Sequence, residues 1–150
     1  MVYCVVYRIR EHTRVRVGRL GVFEFGPGYY VYTGSAKTGI AARLARHARK
    51  SKPRKRWHID YLSSCARFVG AYAFHEAVSE CALNSRIAAL PGASQPIRGF
   101  GSSDCRCRSH LTYFADEPDI ASLEPGYEYD PDAREKDVLK PRGKKRRHNP

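Results

Sequence analysis

No stretch of this sequence approaches the ~20 consecutive apolar residues that a membrane-crossing helix requires. Its start, MVYCVVYRIR, alternates like a strand and lacks the apolar core of a secretory leader. An intracellular, cytoplasmic chain is the expectation. Five cysteines, an odd number in a chain with no export signal, then read as reduced thiols rather than a disulfide frame. Acids are scarce too: 15 Asp and Glu stand against 27 Lys and Arg, a formal net charge of +12. The shortage is sharpest from Lys37 to Arg56, which holds nine Lys or Arg and no acid. Such a block repels itself unless an anion lies alongside, which makes a nucleic-acid backbone, DNA or RNA, the expected partner. A membrane surface would instead need a bulky apolar helix face. Residues 39–50 offer only Ile40, Leu44 and alanines.

What is present suits one folded domain. At 150 residues and 42% hydrophobic, the chain is long enough to bury a core and too apolar for wholesale disorder. Residues 2–10 read as a strand buried on both sides, with Tyr3, Val5, Tyr7 and Ile9 on one face and Val2, Cys4 and Val6 on the other. Val15 and Val17 alternate with Arg14 and Arg16, and Val22 to Phe25 forms a short extended piece before the Gly26-Pro27-Gly28 turn. Pro53 interrupts the basic loop at 51–56. A short helix is expected over 57–66, with Trp57, Tyr61, Leu62 and Cys65 inward, and a strand over 68–74. A second helix over 78–90, with Ser79 as cap, points Ala82, Leu83, Ile87 and Leu90 at the core. A last strand follows His110. From Glu124 the chain carries four prolines, has little to bury and ends on Lys144-Lys145-Arg146-Arg147, so 124–150 is expected to be a mobile basic tail after a domain of 1–123. Hairpins first and helices later indicate an α+β fold, a small mixed or antiparallel sheet of three or more strands flanked by helices.

The densest chemistry lies in YYVYTGSAKTGIAARLARH, residues 29–47. Aromatic and β-branched residues give a strand to Thr33, Gly34 and Ser35 turn the chain, and Ile40, Leu44 and Ala48 begin a helical period. A strand, a tight turn and a basic helix form a place where amides and cations converge on a phosphate. Gly34, Ser35, Lys37, Arg46, Arg49, Lys50, Lys52, Arg54, Lys55 and Arg56 are the candidate phosphate contacts.

Tyr32-Thr-Gly-Ser-Ala-Lys37, followed by Arg43 and His47 four apart on one helix, resembles the second half of the GIY-YIG nuclease signature. Four further blocks resemble a little-characterised branch of that superfamily, sometimes attached to DNA-repair glycosylases of the endonuclease III type. They are Gly28 to Ala36, Trp57-His-Ile-Asp-Tyr-Leu62, Glu80-Cys81 and GFGSSDCRCRSHL at 99–111. The resemblance implies a GIY-YIG-like fold with residues 11–28 as an inserted hairpin. It also implies metal-dependent hydrolysis of DNA phosphodiesters, in repair or in the processing of branched or damaged DNA, with a repair glycosylase as a possible partner. On it, Tyr3 activates the attacking water, Tyr32 is the second tyrosine, and Arg43 and His47 are catalytic. Glu80 holds one magnesium or manganese ion, with Glu76 one turn earlier as the other choice. Tyr7 or Tyr30 could replace Tyr3, because no glycine precedes Tyr3 in the family's pattern.

The residues themselves support parts of this. An unperturbed tyrosine titrates near ~10, so its use as a base needs cations nearby. Arg43 has the planar fork that clamps phosphate. One carboxylate, waters and phosphate oxygens make an ordinary magnesium shell. Cys105, Cys107 and His110 could hold zinc with Cys81 or His58 as fourth ligand. Alternatively they are buried thiols beside a hydrogen-bonded histidine, since C-x-C is tighter than common zinc spacings. Ser102, Ser103, Asp104, His110, His58 and Asp60 are further candidates for substrate or metal contact beside the phosphate site, and Trp57 is either core or a platform for an unpaired base. The reading from a different class is a non-catalytic nucleic-acid-binding module on the same fold.

Overall fold

The computed structural model describes residues 1–52, 54–75 and 78–143. Pro53, the alternative carboxylate Glu76 and the basic run Lys144 to Arg147 lie outside the described residues.

Strand β1, Val2–Ile9, is apolar on both faces and accordingly sits inside the sheet. It pairs antiparallel with β4 (Gly28–Ser35) on one side and with β5 (Arg67–Phe74) on the other. Between β1 and β4 in sequence, β2 (Thr13–Val17) and β3 (Gly21–Phe25) form a separate two-stranded hairpin where one was expected over 11–28. The strand β6 (Leu111–Phe114) pairs with β4, giving the order β6-β4-β1-β5 before two late strands are added. The fold is α+β on an antiparallel six-stranded sheet with helices on both faces.

The alternation of β1 assigns the two cores. Tyr3, Val5, Tyr7 and Ile9 pack with Leu44 of α1 (Ile40–Ala48), Ile59 and Leu62 of α2 (His58–Ser63), Val17 and Phe25 of the hairpin, and Phe100. Val2, Cys4 and Val6 face α3 (Glu80–Ala88) through Leu83 and Ile87, with Ile120 and Leu123 of a short 3-10 turn beside them. Ser79 caps α3, its side chain accepting from the Ala82 amide at 3.1 Å.

Three expectations differ from the structure. Residues 124–143, expected in the tail, add β7 (Tyr127–Tyr129) to β5 and β8 (Leu139–Pro141) to β7. Tyr129 and Val138 are buried in the first core, so a few well-placed apolar side chains anchor a segment whose composition is otherwise polar. Cys65 lies on the exposed side just past α2, because Ile59 and Leu62 supply the inward face of so short a helix. Ala82 is exposed on α3, and Asn84 takes a buried place, donating to the Ser109 carbonyl at 2.8 Å.

Candidate active site

Three elements converge where β4 ends. Tyr3 opposes Gly34 in the β1–β4 register, which carries its phenol to the end of the sheet. The ring covers Gly34 so closely that a Cβ there would stand 2.6 Å from the Tyr3 hydroxyl. Helix α1 starts a few residues later on this face, while α3 comes from the opposite face and presents Glu80 in its first turn. The loop at 99–110 closes the far side, held by backbone bonds such as Gly99 N to the Arg108 carbonyl at 2.7 Å. Together they line a cleft of about 290 Å³ with Tyr3, Tyr32, Ser35, Arg43, Arg56, Trp57, His58, Glu80, Gly101, Ser103 and Asp104.

Arg43 is fixed from two sides. Its Nη1 donates to the Ser35 carbonyl at 3.1 Å, and its guanidinium carbon lies 4.5 Å from the centre of the Trp57 ring. A cation held over an indole keeps its charge and gives up conformers, so the fork is presented ready-made. Trp57 thus carries Arg43, a platform for a side chain rather than the core place or the base platform expected of it. Glu80 is also held. One carboxylate oxygen accepts from Ser35 Oγ at 2.7 Å, and the other meets His110 Nδ1 at 2.9 Å. The hydrogen bond from His110, and after it the one from Ser35, keep this carboxyl below its usual range despite partial burial. Its side chain nonetheless retains 31% exposure, enough for an incoming ligand to reach an oxygen.

Behind the cleft wall, Tyr3 Oη lies 2.7 Å from His47 Nε2. Burial sets the properties of this pair. It pushes the Tyr3 phenol up to about 12, against the opposing pull of Arg43, and takes His47 down to about 3, so the imidazole is neutral at pH 7. Tyr32 is likewise raised by burial and packs edge-on against His47. The other tyrosines considered for the first position point elsewhere. Tyr7 donates to the His47 carbonyl at 2.8 Å, and Tyr30 donates to the Gly26 carbonyl at 2.7 Å.

Several basic and polar candidates have other partners. Arg46 donates to Asp60 Oδ2 at 2.7 Å and to the Arg54 carbonyl at 2.9 Å. Asp60 is fully buried and also accepts from the Arg56 and Trp57 amides, starting α2 rather than contacting the cleft. Burial opposes its charge, but these three donors outweigh that and lower its pKa. His58 accepts from the Gly101 amide at 2.9 Å and packs edge-on against Phe100, pinning the 99–110 loop. Lys52 donates to the Arg49 carbonyl at 2.7 Å. Gly34 lies under Tyr3, leaving Ser35 and Arg56 at the cleft, with Lys37, Arg49, Lys50, Arg54 and Lys55 exposed around it or farther along the surface. Of the cysteine group, Cys81, Cys105 and Cys107 gather around His110, beyond the Glu80 wall. Among the described residues, no helix is long and apolar enough to cross a membrane.

An antiparallel α+β domain with a polar cleft, walled by a tyrosine, an arginine and a carboxylate at the end of its central strands, is the class these features define. The chain belongs to the family described as "Domain of unknown function DUF123", whose model matches residues 2–125. That span holds every residue lining the cleft. No curated protein and no solved structure matches the chain.

Proposed function

We propose that this chain is a metal-dependent endonuclease of GIY-YIG type that hydrolyses DNA phosphodiesters, acting on branched or damaged DNA. The supporting observation is the meeting of Tyr3, Arg43 and Glu80 from β1, α1 and α3 in one cleft, with His47 within 2.7 Å of the Tyr3 hydroxyl. Phosphodiester hydrolysis needs a proton acceptor for water, a cation for the developing phosphorane charge and a hold on the phosphate.

Because burial works against a standing phenolate, Tyr3 acts as a relay. As water adds to phosphorus, its proton passes to Tyr3 Oη while the Tyr3 proton passes to His47 Nε2. The water oxygen forms the new P–O bond, the bond to the leaving oxygen breaks, and that oxygen takes a proton from solvent. The neutral state of His47 leaves a ring nitrogen able to accept, and phosphate charge beside it offsets part of the cost of burying an imidazolium. Arg43, fixed by Ser35 and Trp57, clamps two non-bridging oxygens. Glu80, with Asp104 lining the same cleft from the 99–110 loop, fits a magnesium or manganese ion as a partly exposed carboxylate that needs only phosphate and water to complete a shell. Such an ion, when bound, supplies Lewis-acid stabilisation of phosphate charge. Exposed Arg49, Lys50, Arg54 and Lys55 extend the positive surface along a duplex.

The test is incubation with supercoiled plasmid and with flap, junction and abasic duplexes, in magnesium or in EDTA, beside Glu80→Ala. Magnesium-dependent cuts that Glu80→Ala loses support the reading. DNA shifted but never cut, in magnesium or manganese, would replace it with a non-catalytic nucleic-acid-binding module.

A further inference from the structure

The loop from Gly99 to Ser109 has little apolar content of its own. Ser103, Asp104, Arg106 and Arg108 are exposed, and Gly99 and Gly101 take positive φ of 82° and 66°. Yet Ser103 and Asp104 of this loop help to line the cleft. At its base, Cys105 and Cys107 meet Cys81 from the first turn of α3 and His110 from the edge of β6. One ligand atom from each of the four residues lies within 4.8 Å of all the others. A tetrahedral zinc with bonds of about 2.3 Å to sulfur has sulfur–sulfur edges of about 3.8 Å, so closure of about an ångström at most between sulfurs would complete the site. Cys105 Sγ is already 3.3 Å from His110 Nε2.

The imidazole is oriented for the task. His110 Nδ1 faces Glu80 Oε1 at 2.9 Å, and in the neutral ring this places the proton on Nδ1 and leaves the Nε2 lone pair turned to the sulfurs. A carboxylate behind a ligating histidine is the usual outer partner of protein-bound zinc. Three thiols and an imidazole are soft or borderline donors, suited to zinc and unsuited to magnesium.

We propose that Cys81, Cys105, Cys107 and His110 bind one structural zinc ion that ties the 99–110 loop to the start of α3. Binding releases three thiol protons and leaves a site of net charge −1. Four protein donors close the shell, so the ion takes no part in hydrolysis. Its second effect is on Glu80: a zinc-bound His110 cannot turn, and its Nδ1–H holds the carboxylate at the cleft wall. The zinc site stands on the cluster itself; this second effect rests on the nuclease reading.

Thiol counting on the native protein, purified reduced and without added chelator, tests the site together with elemental analysis. Cys4 is fully buried and Cys65 exposed. The account therefore expects about one zinc per chain and one fast-reacting thiol, rising by three when zinc is extracted. Cobalt(II) replacing the zinc should give the visible absorption of a tetrahedral thiolate site. Cys107→Ser and His110→Ala should lose the metal, and Cys65→Ser should keep it. Should the first two fail to fold, the wild-type thiol count and cobalt spectrum still decide. Metal-free protein with all four non-buried thiols reacting at once would overturn the proposal. Zinc found without cleavage would reject the nuclease reading alone, and cleavage by a chain that never holds zinc would reject the zinc site alone.

Discussion

The buried pair of Tyr3 and His47 predicts how this protein responds to acid. In the unfolded chain a histidine titrates near ~6.5, whereas burial takes His47 in the folded protein down to about 3. A folded-state pKa below the unfolded one means that the unfolded chain binds the proton first. Stability is therefore full above about pH 6.5 and falls as pH drops toward the folded value. At about pH 5 the unfolded histidine is almost wholly protonated and the folded one is not, which costs about 2 kcal/mol. This figure depends almost entirely on the unfolded value, because the folded pKa lies well below pH 5. Against the ~5–15 kcal/mol of an ordinary domain it is easily measured. Urea denaturation of the wild type and of His47→Gln, each at about pH 7 and about pH 5, isolates it, since His58, also lowered by burial, acidifies in both proteins alike. The wild type should lose about 2 kcal/mol more than the variant over this interval. Equal losses would mean that His47 is protonated within the folded protein, and the relay from Tyr3 to a neutral imidazole would fall with it.

Two further predictions concern the cleft and the buried support behind it. Gly34→Ala places a methyl 2.6 Å from the Tyr3 hydroxyl and 2.7 Å from its ring carbon, so the phenol must leave His47. This should cost about 1–3 kcal/mol of stability and remove most cleavage while DNA affinity changes little, read by denaturation, cleavage and fluorescence anisotropy. Asp60→Ala strips Arg46 of its carboxylate and leaves two amides at the start of α2 without an acceptor. Its carboxylate is completely buried while Arg46 keeps some exposure, so about 3 kcal/mol should be lost in urea melts.

Much of this arrangement was readable from the chain because its periods are local. The alternation in β1 places Tyr3, Tyr7 and their neighbours on one face, and the helical period from Ile40 to Ala48 turns Arg43 and His47 toward that face. What local period cannot supply is the choice among equivalents. Arg43 and Arg46 are three apart on one helix, and only the fold shows that Asp60 captures Arg46 and leaves Arg43 at the cleft. Spacing makes Cys81 and His58 equal choices beside Cys105 and Cys107; the fold sets those two against Cys81 and bonds His58 to Gly101. The last two strands are not legible in the sequence, because three-residue strands are too short to display alternation and their place depends on an open edge at β5.

The central claim is that the cleft stabilises transferred phosphate charge rather than merely gripping DNA. Arg43 decides it, through single-turnover cleavage and equilibrium binding measured on one flap duplex with wild type and Arg43→Ala. The account predicts that the variant binds within about tenfold of wild type, as the loss of one phosphate contact among many allows, while its cleavage rate falls by about 10² or more. A variant that cuts at the wild-type rate once the duplex is saturated would contradict it, and Arg43 would then be a binding residue only.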